Sequence, residues 1–194
     1  QERKDINLMA QKKVNQLYNT FLEGIEANKN EDYDKAIECF ESLNRIFPSR
    51  ENYNNLGVAK TRKALFYKVE VATSEDNKFK KRFEYPLEAD INSRLNQEVT
   101  RGLDDNSDTM QQLLKSAQRD FDKAISLDPN YTKGYINLAC VYDLLENYYL
   151  AIGTINRLPI NQKNTKDARR IYAIAHYHAD MEEKANKIWS VLKM

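Results

Sequence analysis

Residues 117–124, AQRDFDKA, begin a pattern that returns at residues 151–158 (AIGTINRL) and 185–192 (ANKIWSVL). Each stretch opens on an alanine and carries Phe, Ile or Trp four positions later. The constant interval of 34 residues between the alanines is typical of a helical hairpin that repeats along a chain. Two helices cross closely only where side chains are short, so we expect the alanines at crossing points. The sequence therefore predicts a stack of helix pairs.

The best copy of the pattern lies at residues 132–165. It contains Tyr135, Leu138, Ala139, Tyr142, Ala151, Ile155 and Leu158. These residues resemble the tetratricopeptide repeat, a helix–turn–helix unit of 34 residues with aromatic and small residues at fixed positions. The resemblance implies an all-α fold, a right-handed superhelix (an α-solenoid) of about four helix pairs.

The second pair is interrupted by a long insertion. Gly57 and Ala117 stand 60 residues apart, whereas the corresponding Gly24 and Ala36 of the first pair are 12 apart. We expect a single domain, and its parts follow from the resemblance. They are a helical extension over 1–16, repeats over about 17–50, 51–72 with 112–131, 132–165 and 166–194, and an insertion over about 73–111.

The insertion combines basic and aromatic residues at 78–83, KFKKRF. Such interleaving is one signature of a nucleic-acid contact, and the alternative is that Phe79, Phe83 and Tyr85 pin the insertion onto the helices. The pattern favours packing, because acidic residues follow at once. Tyr85 precedes a proline and should be extended. Residues 87–103 are expected to resume a short helix.

Composition and motifs indicate a chain without catalytic, cofactor or metal residues. The 30 basic and 29 acidic residues nearly cancel, so no overall field attracts nucleic acid. No apolar run is long enough to span a membrane. His176 and His178 are two residues apart and face different sides of a helix, and we interpret His176 as a core residue and His178 as a groove or surface residue. Cys39 and Cys140 are too far apart in a stack to form a disulfide.

In this family the first helices line the concave surface, and their inward positions can be transferred onto this chain. Besides Asn54 and Asp143, they include the residues that we predict to bind a peptide: Asn55, Val58, Arg62, Lys133, Ile136, Asn137, Arg170 and Ile174. An asparagine side chain presents a donor and an acceptor together, so Asn55 and Asn137 could clamp an extended backbone. The alternative is that these asparagines only satisfy neighbouring polar groups.

The sequence thus predicts a non-catalytic module that binds a protein or peptide segment on its concave surface. That segment could come from a partner, from an upstream part of the same protein, or from the insertion itself folding back. A weaker resemblance is to C-terminal repeat segments of bacterial peptidases and other multidomain proteins. It implies an adaptor or regulatory part of a larger enzyme as the alternative. Nucleic-acid binding through the basic and aromatic insertion is a third hypothesis. Both the bacterial cytoplasm and the periplasm are compatible with two buried thiols.

Overall fold

The structure, a computed structural model, describes residues 2–66, 81–90, 93–94, 97–98 and 108–194. These residues form nine helices and two small sheets. The helices are α1 (Glu2–Lys29), α2 (Tyr33–Ile46), α3 (Arg50–Phe66), α4 (Asp108–Leu127), α5 (Thr132–Leu144), α6 (Tyr148–Asn156), α7 (Ile160–Lys163), α8 (Lys166–His178) and α9 (Glu182–Val191). The predicted all-α class is confirmed over this part of the chain, whereas the right-handed tetratricopeptide superhelix stays a prediction.

The helices pack as four consecutive pairs: α1 with α2, α3 with α4, α5 with α6, and α8 with α9. The second helix of each pair also contacts the first helix of the next pair. The first helices α3, α5 and α8 contact each other in the same order. The insertion therefore does not separate α3 from α4. It ends earlier than predicted, because α4 begins at Asp108 and includes residues 108–111.

Three of the pairs turn in the same way. Glu31, Glu146 and Asp180 have positive φ angles of 63°, 62° and 59°. The residue after each of them donates its backbone N–H to a carbonyl five positions back: Asp32 to Ala27 at 2.9 Å, Asn147 to Tyr142 at 2.8 Å, and Met181 to His176 at 2.9 Å. This is the Schellman arrangement, which satisfies carbonyls at a helix C-terminus. The repeated turn indicates that the three pairs share one structural unit.

Close helix crossings occur where the pattern placed small residues. A Cβ atom on Gly57 would lie 2.7 Å from the Phe121 ring, and one on Gly24 would lie 2.9 Å from the Phe40 ring. Both rings are fully buried. Because real Cβ contacts are longer than this, α3 can approach α4 this closely only with glycine at position 57.

Residues 81–82 are helical, and the described part of the insertion after them forms four short strands. Strand β1 (Glu84–Tyr85) pairs antiparallel with β4 (Gln97–Glu98), and β2 (Glu88–Ala89) pairs antiparallel with β3 (Ser93–Arg94). The expected helix over 87–103 is therefore wrong where the structure describes it. The backbone N–H groups of residues 88 and 90 bind asparagine side chains of the helices, which an extended chain allows. Phe79 lies outside the described residues.

The ends and thiols of the chain add three findings. The extension at residues 2–16 is helical and continuous with the rest of α1. Cys39 and Cys140 are both buried and are not joined in a disulfide. Within the described residues, no helix combines the length and the apolar character that crossing a membrane requires.

Candidate peptide-binding groove

The inserted segment (residues 81–90) lies along the first helices of three successive pairs. Its strand β2 packs against α3, and side chains of α3, α5 and α8 bind it through polar atoms. We call this surface the groove. Its polar residues are Asn54, Asn55, Lys133, Asn137, Asp143 and Arg170, and its apolar residues are Val58, Ile136 and Ile174.

Asn137 on α5 binds both polar groups of the Glu88 main chain. The N–H of Glu88 donates to Asn137 Oδ1 at 3.0 Å, and Asn137 Nδ2 donates to the Glu88 carbonyl at 2.9 Å. Asn54 Nδ2 donates to the same carbonyl at 3.1 Å, and Asn54 Oδ1 accepts a bond of 2.7 Å from Asn137 Nδ2. Because these bonds use only main-chain atoms of Glu88, any residue except proline could occupy that position.

Asn55 binds the main chain two residues further on. Its Oδ1 accepts a bond of 2.6 Å from the N–H of Asp90. Alternate residues of an extended chain face the same side, so the N–H groups of Glu88 and Asp90 both point toward the helices. Asn55 and Asn137 together therefore bind alternate residues of the inserted segment.

The carboxylate of Asp90 lies among three side-chain donors. Its Oδ2 accepts bonds from Asn54 Nδ2 at 3.1 Å and from the Tyr131 hydroxyl at 2.6 Å, and its Oδ1 is 3.2 Å from Lys133 Nζ. Lys133 also pairs with Glu88 Oε1 at 3.4 Å. Burial and the nearby charge of Asp90 raise the pKa of Tyr131, so its hydroxyl stays a donor at neutral pH.

Tyr85 reaches a buried acid on α5. Its hydroxyl donates to Asp143 Oδ2 at 2.5 Å, and His178 Nδ1 lies 2.8 Å from the same oxygen. The Asp143 side chain is fully buried. Burial first, and then the charge of Asp143, raise the pKa of Tyr85 well above its usual value. The Tyr85 hydroxyl therefore remains protonated and serves as a donor to Asp143.

The start of the inserted segment contacts the last helix pair. Arg170 Nη2 donates to Glu84 Oε2 at 2.5 Å and to the carbonyl of Lys81 at 3.0 Å. The Phe83 ring stacks on His178 with centroids 5.7 Å apart and meets the Trp189 ring edge-to-face at 5.4 Å. Phe83 thus packs the insertion onto the helices, which is the alternative to nucleic-acid binding that the sequence favoured for residues 78–83.

The structure brings most of the predicted groove residues to the inserted segment. Asn55, Lys133, Asn137 and Arg170 bind it through polar atoms. Val58, Ile136 and Ile174 belong to the core cluster that contains Tyr85, Leu87 and Ala89. Arg62, which was predicted to bind a peptide, is instead fully buried. Its charge interacts with Tyr33 and Glu31 of the first pair. Burial lowers the pKa of Arg62 to about 10.

Two features of the groove were not predicted as binding residues. Tyr131 lies in the loop before α5, outside the inward helix positions that the resemblance supplies. Its place directly before a first helix, after Pro129 and Asn130, is the only sequence signal that could have pointed to it. Asp143 is an inward position, but only the structure shows that a tyrosine of the insertion reaches it.

The groove contacts the inserted segment through hydrogen bonds and ion pairs. Within the described residues, no group of three His, Cys, Asp or Glu side chains could hold a metal ion. His176 is buried, its Nδ1 donates to the Tyr172 carbonyl at 2.7 Å, and burial lowers its pKa. The groove itself offers amides, a hydroxyl, an ammonium and a guanidinium group, which suit carbonyl, N–H and carboxylate partners.

No protein-family model matches the chain, and no curated protein matches it significantly. The tetratricopeptide repeat thus remains a resemblance in the residues. Over the described residues, the fold and the groove define an all-α class of protein built of helix pairs, whose first helices contact an extended segment of the same chain.

Proposed function

We propose that this chain is a non-catalytic, tetratricopeptide-type interaction module that holds an extended polypeptide segment in its groove. The observation that supports the proposal is the pair of hydrogen bonds between Asn137 and the main chain of Glu88. Extended peptides are commonly bound in this way, with main-chain bonds for affinity and pockets for alternate side chains. In this chain Tyr85, Leu87 and Ala89 are the alternate buried side chains.

The inserted segment is an occupant that another polypeptide could replace. Asn54, Asn55 and Asn137 bind main-chain atoms, which every extended segment carries. A partner segment would thus keep these bonds while exchanging the side chains. An adaptor segment of a larger enzyme could use the same contacts, and this remains the alternative.

Nucleic-acid binding through the insertion has less support. Arg82 donates to the carbonyl of Met194 at 3.2 Å and its guanidinium lies 5.3 Å from the Trp189 ring. Arg170 is paired with Glu84. Both arginines are therefore occupied by protein groups. Lys78 and Lys80 lie outside the described residues.

The test weakens the internal occupant and supplies the same segment as a separate peptide. A full-length chain with Tyr85→Ala and Asp90→Ala keeps every helix residue of the groove. The probe is a fluorescent peptide with the sequence of residues 82–90, RFEYPLEAD. We expect fluorescence polarisation to show saturable binding of this peptide to the variant. Adding Asn137→Ala should weaken binding about tenfold, because two main-chain bonds are lost.

The matched control is Asn186→Ala, an exposed asparagine on α9. It should leave the affinity for the peptide unchanged. Circular dichroism and gel filtration verify that each variant is folded and monodisperse. A folded chain that binds no peptide, or binds it equally well with and without Asn137, would move the binding site off the groove.

A further inference from the structure

Three side-chain contacts of the inserted segment go beyond the main-chain bonds and could distinguish one polypeptide from another. Glu84 meets Arg170, Tyr85 meets Asp143, and Asp90 meets Lys133 with two further donors. The inference drawn from them rests on the proposed function, since it concerns which segments the same groove accepts.

The site around Asp90 is built for a carboxylate. Its donors come from three places in the fold: Asn54 on α3, Tyr131 before α5, and Lys133 on α5. The Asp90 side chain is only 14% exposed in this setting. An asparagine there would turn an NH₂ group toward one of these donors, and donors do not bind each other.

The site around Tyr85 requires a hydroxyl. Asp143 Oδ2 accepts from Tyr85 and lies beside His178, and its side chain has no exposed surface. A phenylalanine would leave this buried acid with one donor fewer. Tyr85 and Asp90 stand five residues apart in the sequence, so an extended segment fills both sites only in one register.

The charges of the groove also favour an acidic segment. In the part of the chain that the structure describes, the helix cations paired with the segment are Arg170 at its start and Lys133 at its end. They pair with Glu84, Glu88 and Asp90, which are the acidic side chains of residues 81–90. A segment without acidic residues would bring no carboxylate to either cation.

We infer that the groove selects acidic, tyrosine-containing polypeptide segments with an aspartate five residues after the tyrosine and a glutamate just before it. The inserted segment carries this pattern in the same chain. It is an intramolecular competitor that a partner segment of the same chemistry must displace.

Tethering sets the strength of this competition. A segment on the same chain acts at an effective concentration on the order of millimolar. A partner peptide binds only the fraction of grooves that the inserted segment has left, so its apparent affinity for the parent chain is reduced by that fraction. Weakening the inserted segment should therefore strengthen binding of the free peptide.

The experiment measures polarisation of four peptides on full-length chains. The peptides are RFEYPLEAD, the same sequence with Asp→Asn at its last position, the same sequence with Tyr→Phe, and a scrambled version. The chains are the parent, Asp90→Asn, and the control Glu183→Gln, which changes an exposed acid on α9. We expect Asp90→Asn to bind RFEYPLEAD at least about tenfold more tightly than the parent does. Glu183→Gln should bind like the parent.

On the Asp90→Asn chain, the Asp→Asn and Tyr→Phe peptides should each bind about tenfold more weakly than RFEYPLEAD. If Asp90→Asn does not fold, Glu84→Gln replaces it, because this change weakens the contact with Arg170 at the other end of the segment. It should likewise bind RFEYPLEAD more tightly than the parent does. Equal binding of all four peptides would overturn the selectivity and leave the proposed function standing. Binding of none of them by a folded variant would instead remove the proposed function itself.

Discussion

Asn137 and Glu88 are 49 residues apart in the sequence and are joined by two hydrogen bonds of 3.0 and 2.9 Å. The pair sets the register of the inserted segment against the helices. A slip by one residue would turn the buried side chains of Leu87 and Ala89 away from the core, since side chains alternate along an extended chain. Asn137, together with Asn55, thus fixes which side chains of the insertion are buried.

Replacing this asparagine should lower the stability of the whole chain. Asn137→Ala removes both bonds to Glu88 and the bond to Asn54, so we expect the free energy of unfolding to fall by about 2–3 kcal/mol. Urea denaturation at neutral pH measures the change. The exposed Asn186→Ala should stay within about 0.5 kcal/mol of the parent. Equal stability of the two variants would mean that the asparagine bonds contribute little in solution.

Two glycine-to-alanine changes should have opposite effects. Gly57→Ala would place a methyl group 2.7 Å from the Phe121 ring, so the free energy of unfolding should fall by about 1–3 kcal/mol. Gly153→Ala on α6 meets nothing within 4 Å, so the better helix propensity of alanine should raise it by about 0.5–1 kcal/mol. Thermal unfolding of the two variants tests the pair. A stable Gly57→Ala variant would contradict the close crossing of α3 and α4.

The turn at Asp180 offers a test of backbone strain. Its φ of 59° suits glycine and is unfavourable for alanine. We therefore expect Asp180→Gly to be more stable than Asp180→Ala by about 1 kcal/mol in urea denaturation. The side chain is exposed, so neither change removes a buried contact. Equal stabilities would argue against a left-handed residue in this turn.

Burial of His176 predicts a pH dependence of stability. Its pKa in the folded chain lies below the usual value of 6.5, so the folded state resists protonation. As the pH falls below about 6.5, the unfolded state binds the proton first, and stability decreases until the pH reaches the lower folded pKa. The slope cannot exceed about 1.4 kcal/mol per pH unit for one group. Urea denaturation of His176→Phe between pH 7.5 and 5.5 should show a smaller loss than the parent, and an identical loss would assign the effect to other groups.

The groove residues on the helices could be predicted from the sequence, and the insertion was one of three occupants that the sequence left open. Asn55 and Asn137 were predicted because the resemblance to the tetratricopeptide repeat supplies the inward positions of each first helix. The expected helix after Leu87 was wrong because its local pattern suits a helix, whereas the extended form depends on bonds to residues that lie far away in the sequence, such as Asn55. Tyr131 was not predicted because it lies between two repeats, where the repeat pattern assigns no inward position. Local periodicity thus predicts the helix pairs but not contacts between the insertion and distant units.

The path of the inserted segment also bears on how the chain unfolds. Stacked repeats contact only their neighbours, so an array of them can lose its end units one at a time. Here a segment that leaves the second pair binds Asn54 there, Asn137 in the third pair and Arg170 in the fourth. The last pair cannot detach without releasing a segment that the second pair also holds. The inserted segment thus couples helix pairs that are not neighbours, and it favours cooperative, all-or-none unfolding of the last three pairs.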